Sequence, residues 1–145
     1  MSNSRSTIAS ITVVFMIASF QLASATPIRI CDSKTFENCH EVEGTGTVPP
    51  KLRHQVDVKY PNEARRQHIE GTSMVKLVVD ENGMPQNVRV ASSATERLPV
   101  TQRQVGLEMD ENAVKAVKKF RFKPATLNGQ AVPSEITVTE KYHAN

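Results

Sequence analysis

The alternation of apolar and polar positions is clearest between Gly71 and Ser93, where two short runs flank a turn. Val75, Leu77 and Val79 fall at every second position, which is typical of a half-buried β-strand. The Asn82-Gly83 pair between the runs predicts a tight hairpin turn, because both residue types tolerate positive φ angles. Two strands cannot bury an apolar face unaided, so we expect the rest of the chain to cover this hairpin.

Two further elements are predicted after the hairpin, a helix and a third strand. The apolar stripe of the helix has members at positions i, i+1, i+4 and i+7: Ala113, Val114, Val117 and Phe120. Asp110 suits the N-cap of this helix, since its carboxylate can accept from the free backbone N–H groups of the first turn. Asn128-Gly129 predicts a second turn, and the β-rich segment 134–142, with Ile136 and Val138 on one face, predicts the last strand.

A short helix is predicted before the hairpin, over residues 62–68, with Pro61 at its start. Residues 94–108 carry no clear period, and both a strand and a helical turn are compatible with them. The resulting order is helix, strand, strand, helix, strand. This order predicts an α+β, two-layer domain in which two helices cover one face of a three-stranded antiparallel sheet.

Residues 1–25 have the features of a secretory signal peptide. Arg5 supplies a basic start, Ile8 to Leu22 is an apolar run, and Ala23-Ser24-Ala25 is a cleavage pattern. The alternative is a retained inner-membrane anchor, for which roughly 15 apolar positions are short compared with the ~20 of a spanning helix. We expect residues 26–55 to be a linker or N-terminal flap without regular elements, and residues 56–145 to be the domain.

The chain contains two cysteines, Cys31 and Cys39. In an exported chain such a pair predicts one disulfide, which would stabilise the fold by roughly 2 to 3 kcal/mol. The alternative is a zinc site that adds His40 and His54 as ligands, although the spacing is unusual for zinc.

Charge and motifs exclude several classes of function. The formal net charge is +3, and it falls to about +2 if the leader with Arg5 is removed, so the charge does not indicate nucleic-acid binding. The four histidines are scattered, and no catalytic, phosphate-binding or metal-binding motif is present. Asp80 to Gly83 is similar to the start of a calcium loop but lacks its later ligands. We therefore expect no catalytic residue, metal, cofactor or small-molecule substrate.

Taken in order, the residues carry a family resemblance. The matching pieces are Tyr60-Pro61, Ile69-Glu70-Gly71, VKLVVDENG at 75–83, VRVASS at 88–93, AVKAVKKFRFKPA at 113–125 and Asn128-Gly129-Gln130-Ala131-Val132-Pro133. Together they resemble the C-terminal domain of the TonB family of periplasmic energy transducers, over about residues 60–142. The resemblance implies a periplasmic, non-catalytic domain that binds the box peptide of an outer-membrane TonB-dependent transporter by strand addition.

By this resemblance the last strand is the receiving edge, with the segment from Tyr60 lying nearby. The implied peptide-binding residues are Tyr60, Pro61, Arg65, Glu135, Ile136, Thr137, Val138, Thr139, Glu140, Lys141 and Tyr142. For Ile136 and Val138 the side chains are expected to pack in the core, while the backbone of the strand binds.

The chain also departs from a full transducer. Residues 8–25 contain no histidine, prolines are few before Tyr60, and the connection before Asp110 is long. We therefore expect a protein associated with TonB-dependent transport that does not itself transmit energy. The alternative partner is another envelope protein, and the alternative function is a structural one, in which the exposed edge pairs two copies into a homodimer.

Overall fold

A computed structural model of the chain describes residues 27–144. The predicted leader, residues 1–25, lies outside the described residues. The strands are β1 (Ile28–Ile30), β2 (His40–Val42), β3 (Thr47–Val48), β4 (Lys51–His54), β5 (Gly71–Val79), β6 (Pro85–Ser92), β7 (Arg121–Lys123), β8 (Ala125–Leu127), β9 (Gln130–Val132) and β10 (Ser134–Tyr142). The α-helices are α1 (Asn62–Arg66) and α2 (Arg103–Val117), and two 3-10 turns precede α2, at Ala94–Arg97 and Val100–Gln102.

The main sheet is antiparallel and has five strands in the order β2-β1-β10-β5-β6. The predicted hairpin forms β5 and β6, and the predicted last strand forms β10, which pairs with β5 from Ser134 opposite Val79 to Tyr142 opposite Gly71. The α+β class is therefore confirmed. The prediction of three strands was wrong, because β1 and β2 from the N-terminal segment extend the sheet beyond β10.

Helix α2 covers one face of this sheet. The buried cluster between them is formed by Val75, Leu77, Val79, Ala113, Ala116, Val117, Phe120 and Phe122. It contains the whole predicted strand face and three of the four predicted stripe residues, with Val114 packed at its margin. A second cluster joins Ala64 of α1 to Met109 of α2 and Tyr142 of β10, so the short helix packs beside the long one.

The long helix begins at Arg103, not at Asp110 as its N-cap residue would require. Asp110 lies inside α2 and is buried, and its carboxylate accepts from the backbone N–H of Ala94 and the hydroxyl of Ser73. The N-cap prediction for Asp110 was therefore wrong, because the backbone N–H group that its carboxylate binds belongs to the 3-10 turn at Ala94–Arg97 and not to the first turn of α2. Gly106 obscured the earlier start, and it lies close to the preceding 3-10 turn, since a Cβ there would lie 2.8 Å from the Thr95 side chain and 3.1 Å from the Thr95 backbone nitrogen.

Residues 27–55 contain four short strands where the sequence indicated no regular element. Besides β1 and β2, β3 pairs with β8 and β4 pairs with β7, so this segment forms sheets with strands that follow α2. The predicted turn at Asn128-Gly129 is present between β8 and β9, and both residues have positive φ.

The turn between β5 and β6 is longer than the two-residue turn that Asn82-Gly83 predicts. It is organised by the Asp80 carboxylate, which accepts from the backbone N–H of Asn82 at 2.9 Å and of Met84 at 2.8 Å. Gly83 has φ +81°, and its carbonyl accepts from the N–H of Phe122 at 2.9 Å. The turn therefore also joins the hairpin to β7.

The Gly83→Ala variant is expected to be strongly destabilised. A Cβ at this position would lie 1.9 Å from the Phe122 carbonyl oxygen, a backbone atom that cannot move aside cheaply. Gly129 is a matched control, because it has nearly the same φ, +83°, but a Cβ added there would have nothing within 4 Å. We expect Gly129→Ala to cost about 1 to 2 kcal/mol and Gly83→Ala at least about 2 kcal/mol more, measured by urea unfolding. Equal costs would contradict this close approach.

Candidate functional site

The outer edge of β10 is open over most of its length. Its inner edge pairs with β5 throughout, whereas on the outer edge β1 pairs with Ser134 and Glu135 alone. From Ile136 to Tyr142, no strand among residues 27–144 pairs with the outer edge. We call the outward backbone of residues 136–142 the open edge.

The geometry of the ladder shows which backbone groups point outward. The N–H of Cys31 donates to the carbonyl of Pro133 at 3.1 Å, so the backbone of Pro133 faces β1. Successive residues in a strand direct their backbone groups to opposite sides. The outward groups of the open edge are therefore those of Thr137, Thr139 and Lys141, and within the described chain they form no backbone hydrogen bond.

The side chains of β10 divide between the two faces. Ile136 and Val138 pack against the core cluster under α2, as expected. The side chains of Thr137, Thr139 and Lys141 are exposed on the opposite face. An added strand would therefore meet free backbone groups together with a polar, exposed row of side chains.

The predicted residues from the first helix gather at the C-terminal end of β10. The rings of Tyr60 and Tyr142 lie 5.8 Å apart, and the Arg65 guanidinium lies 5.8 Å from the centre of the Tyr60 ring. The Tyr142 hydroxyl donates to the carbonyl of Met109 at 2.6 Å, which fixes the strand end to α2. Pro61 is fully buried at the start of α1 and offers no side-chain surface to a partner.

Burial governs the ionisable groups at this end. Desolvation, followed by the nearby Glu140 and Asp110 carboxylates, raises the pKa of the Tyr142 phenol well above its ordinary value. Burial also raises the pKa of the Tyr60 phenol and of the Glu140 carboxyl. Both phenols are therefore neutral at neutral pH, and the Tyr142 hydroxyl remains a donor.

The other end of β10 carries a cluster of charges around Glu135. Its side chain is 8% exposed and contacts three cations: Arg29 at 2.9 Å, Arg89 at 3.0 Å and Lys76 at 3.6 Å. Glu135 was predicted to bind peptide, but the structure pairs its outward backbone with β1 and its carboxylate with these cations. The part of the predicted strand left open thus begins after Glu135.

Two features of this site were missed from the sequence. Residues 55–60 run beside the C-terminal half of β10, and a groove there is lined by Asp57, Val58, Tyr60, Glu140, Lys141 and His143. The side-chain amide of Asn112 donates to the Lys59 carbonyl, which holds this segment against α2. The valines at 56 and 58 were the available signal, since both pack on the core.

The N-terminal hairpin, β1 and β2, is the second missed feature. Cys31 and Cys39 form a disulfide in it, which confirms the predicted pairing and overturns the zinc alternative. The Ile28, Ile30 and Val42 side chains were weak signals, because three-residue strands are too short to show a period.

Comparison with known proteins identifies the family. Residues 56–143 match the family described as Gram-negative bacterial TonB protein C-terminal. This chain belongs to the TonB C-terminal family. The match contains the open edge, α1 and α2, whereas the N-terminal hairpin lies outside it.

Individual TonB proteins show the same relationship. The chain is 30% identical over 95 residues to Protein TonB of Vibrio cholerae, covering 65% of this chain and 34% of that protein. It is 30% identical over 87 residues to Protein TonB of Xanthomonas campestris pv. campestris, covering 60% and 34%. The chain thus spans about a third of the length of the curated relatives that it matches. A solution NMR structure of the Pseudomonas aeruginosa TonB C-terminal domain has a TM-score of 0.49 and 20% identity, covering 70% of this chain and 90% of that one.

Membership of the TonB C-terminal family confirms two of the predictions. The family is non-enzymatic, as expected for this chain, and the TonB C-terminal domain is a periplasmic domain. Between residues 27 and 144, no helix is both long and apolar enough to cross a membrane.

Proposed function

We propose that this chain is a periplasmic TonB-like protein that binds an extended peptide by adding it as a strand to the open edge. The peptide is the box segment of an outer-membrane TonB-dependent transporter. The protein acts in TonB-dependent transport without transmitting energy itself. The observation that carries the proposal is the row of outward backbone groups at Thr137, Thr139 and Lys141, which have no backbone partner among residues 27–144.

Strand addition suits this edge on physical grounds. Backbone N–H and C=O groups supply affinity to an extended peptide, while flanking pockets select its side chains. Here the groove beside residues 55–60 provides such a pocket on the helix side of the strand. Because Tyr142 and β5 hold β10 along its inner side, the edge is already an extended strand, and strand addition would require little further ordering of it.

The segment before the family domain supports a role without energy transmission. Residues 28–54 are paired into the sheets of the domain and do not extend away from it as a spacer would. We further propose that the leader is cleaved, with retention in the inner membrane as the alternative.

Photo-cross-linking in living cells tests this function. A photoreactive amino acid replaces Thr137, whose exposed side chain lies on the open edge, and the adduct is identified by mass spectrometry. We expect an adduct with an outer-membrane TonB-dependent transporter. Mass spectrometry of the same sample also gives the mature N-terminus, which decides whether the leader is cleaved.

The same amino acid at Lys119, an exposed position after α2, is the matched control. No adduct at position 137 above the yield at position 119 would contradict the proposal. An adduct between two copies of this chain would favour the homodimer. An adduct with a different envelope protein would retain strand addition and replace the partner.

A further inference from the structure

The N-terminal hairpin already adds a strand to the edge that the proposed function uses. β1 pairs with the first two residues of β10, with Arg29 opposite Glu135 and Ile30 opposite Ser134. This pairing is antiparallel, and it uses the same outward backbone groups of an edge strand that strand addition of a peptide uses. The hairpin lies outside residues 56–143, so it is an addition to the family domain.

Several contacts hold the hairpin in place. The Arg29 guanidinium binds both the Glu135 carboxylate and the carbonyl of Cys39, and Ile28 and Cys31 are buried. The side-chain amide of Asn87 donates to the carbonyl of Phe36 at 3.0 Å, from the opposite edge strand of the sheet. The loop closed by the disulfide, residues 31–39, therefore crosses the face of the sheet that α2 leaves uncovered.

The exposed fractions of two β5 side chains on that face agree with a loop that crosses it at one end. Met74 and Val78 lie on the same side of β5, because they are separated by an even number of residues. Met74 is 38% exposed, whereas Val78, which pairs with Glu135, is 0% exposed. The face is thus covered at the end that holds Val78, where Arg29 of the hairpin binds Glu135, and is open at the end beside Thr139.

Proline marks the point at which the hairpin stops. Continuing the register past Arg29 and Glu135 would bring Pro27 opposite Thr137, but the pairing with β10 ends at Arg29, so the outward groups of Thr137 stay free. Proline has no N–H and cannot donate to a ladder, and β1 begins after it, at Ile28. The strand therefore ends where the open edge begins.

We propose that the disulfide-linked hairpin caps the docking edge and fixes the length and register of the bound peptide. This inference rests on the proposed function. A peptide strand pairs with Thr137, Thr139 and Lys141, and its end next to Pro27 cannot proceed to Glu135 because β1 occupies that position. The partner is accordingly a short extended segment of about five residues, since the outward groups occur at every second position.

Two variants with opposite expected effects on peptide affinity test the cap in the full chain. In the first, Cys31→Ser, Cys39→Ser and Arg29→Ala together release β1 from Glu135. In the second, Pro27→Val supplies an N–H opposite Thr137 and lengthens β1. The probes are synthetic peptides of about five, seven and nine residues that copy the transporter segment captured at position 137.

Affinities are measured by isothermal titration calorimetry, and amide hydrogen exchange by NMR. For the native protein we expect nearly equal affinities for the three lengths, with the Glu135 amide protected and the Thr137 amide exchanging until peptide is added. For the released variant we expect the affinity to rise about 5- to 10-fold when the peptide is lengthened from about five to about seven residues. We also expect the Glu135 amide of this variant to exchange in the free protein. For Pro27→Val we expect weaker binding of all three peptides, by a similar factor.

Lys34→Ala, at an exposed position in the disulfide loop, is the matched control and should behave as the native protein. If affinity depends on peptide length in the same way in the native protein and in the released variant, the proposal that the hairpin caps the edge is wrong, while the proposed function stands. Stronger binding to Pro27→Val would also overturn it. If no peptide binds any form, the proposed function fails and the cap fails with it.

Discussion

The substitution Thr139→Pro is expected to weaken peptide binding by about 10- to 100-fold while the fold remains intact. The N–H of Thr139 points away from β5, so its loss breaks no hydrogen bond of the native ladder. Proline at the centre of the open edge removes a donor that an added strand needs, and its ring occupies the space of the incoming backbone. One lost ladder bond and this steric clash together account for about 1.4 to 2.8 kcal/mol, which is the stated range.

Binding is measured by calorimetry with the transporter peptide, and folding by thermal unfolding. Thr139→Val is the matched control, because it changes the side chain but keeps the backbone N–H. We expect it to bind within about threefold of the native protein. Equal binding by Thr139→Pro and Thr139→Val would show that the peptide does not pair with this strand, and the proposed function would have to be abandoned.

The substitution Asp110→Ala is expected to lower the free energy of unfolding by about 3 to 5 kcal/mol. The Asp110 carboxylate lies inside the protein and accepts from the Ser73 hydroxyl at 2.6 Å, the Ala94 N–H at 2.9 Å and the Ser93 hydroxyl. Alanine would leave the buried Ser73 hydroxyl and Ala94 N–H without this acceptor, and each unsatisfied buried group costs about 1 to 3 kcal/mol. The loss would also release the connection before α2 from β5.

Urea unfolding monitored by circular dichroism measures this loss. Glu111→Ala is the matched control, because the neighbouring side chain is 69% exposed on the same helix, and we expect it to change stability by less than about 0.5 kcal/mol. Asp110→Asn keeps one acceptor oxygen and should lie between the two. A cost for Asp110→Ala as small as that for Glu111→Ala would mean that the carboxylate does not join these three elements.

Thr139 and Asp110 illustrate that different contacts of the domain determine its stability and its proposed binding. Asp110 and Tyr142 attach α2 to the strands from the inside, through buried hydrogen bonds. The open edge contributes nothing to those contacts, since its outward backbone groups have no partner within the described residues. A partner strand can therefore bind or leave without repacking the core.

Much of the fold followed from local patterns. The strand containing Val75, Leu77 and Val79 was recognisable because alternating burial has a period of two, and the helical stripe ending at Phe120 because its period is 3.6. Asn128-Gly129 formed the predicted turn because both residues there adopt positive φ. The candidate strand β10 was predicted over its full length, and so was the packing of Ile136 and Val138 against the core.

Other elements depend on pairing between residues far apart in sequence. β3 and β4 are two and four residues long, and they are strands because β8 and β7 lie beside them. So short a segment has no period, and its pairing partner is set by how the later chain folds back. The start of α2 was hidden for a related reason, because Gly106 is a poor helix former that is present to allow close packing against Thr95.

The sequence by itself determined the α+β class, the disulfide between Cys31 and Cys39, and the family, and the resemblance to that family implied which strand edge binds. The first three depend on residue type and spacing along the chain, which are local properties. The tertiary structure alone decided that Glu135 is covered, that the pairing of β1 with β10 ends at Arg29, and that the open edge begins after Glu135. Register between distant strands is a property of the folded chain, because it is fixed by the packing of both faces at once.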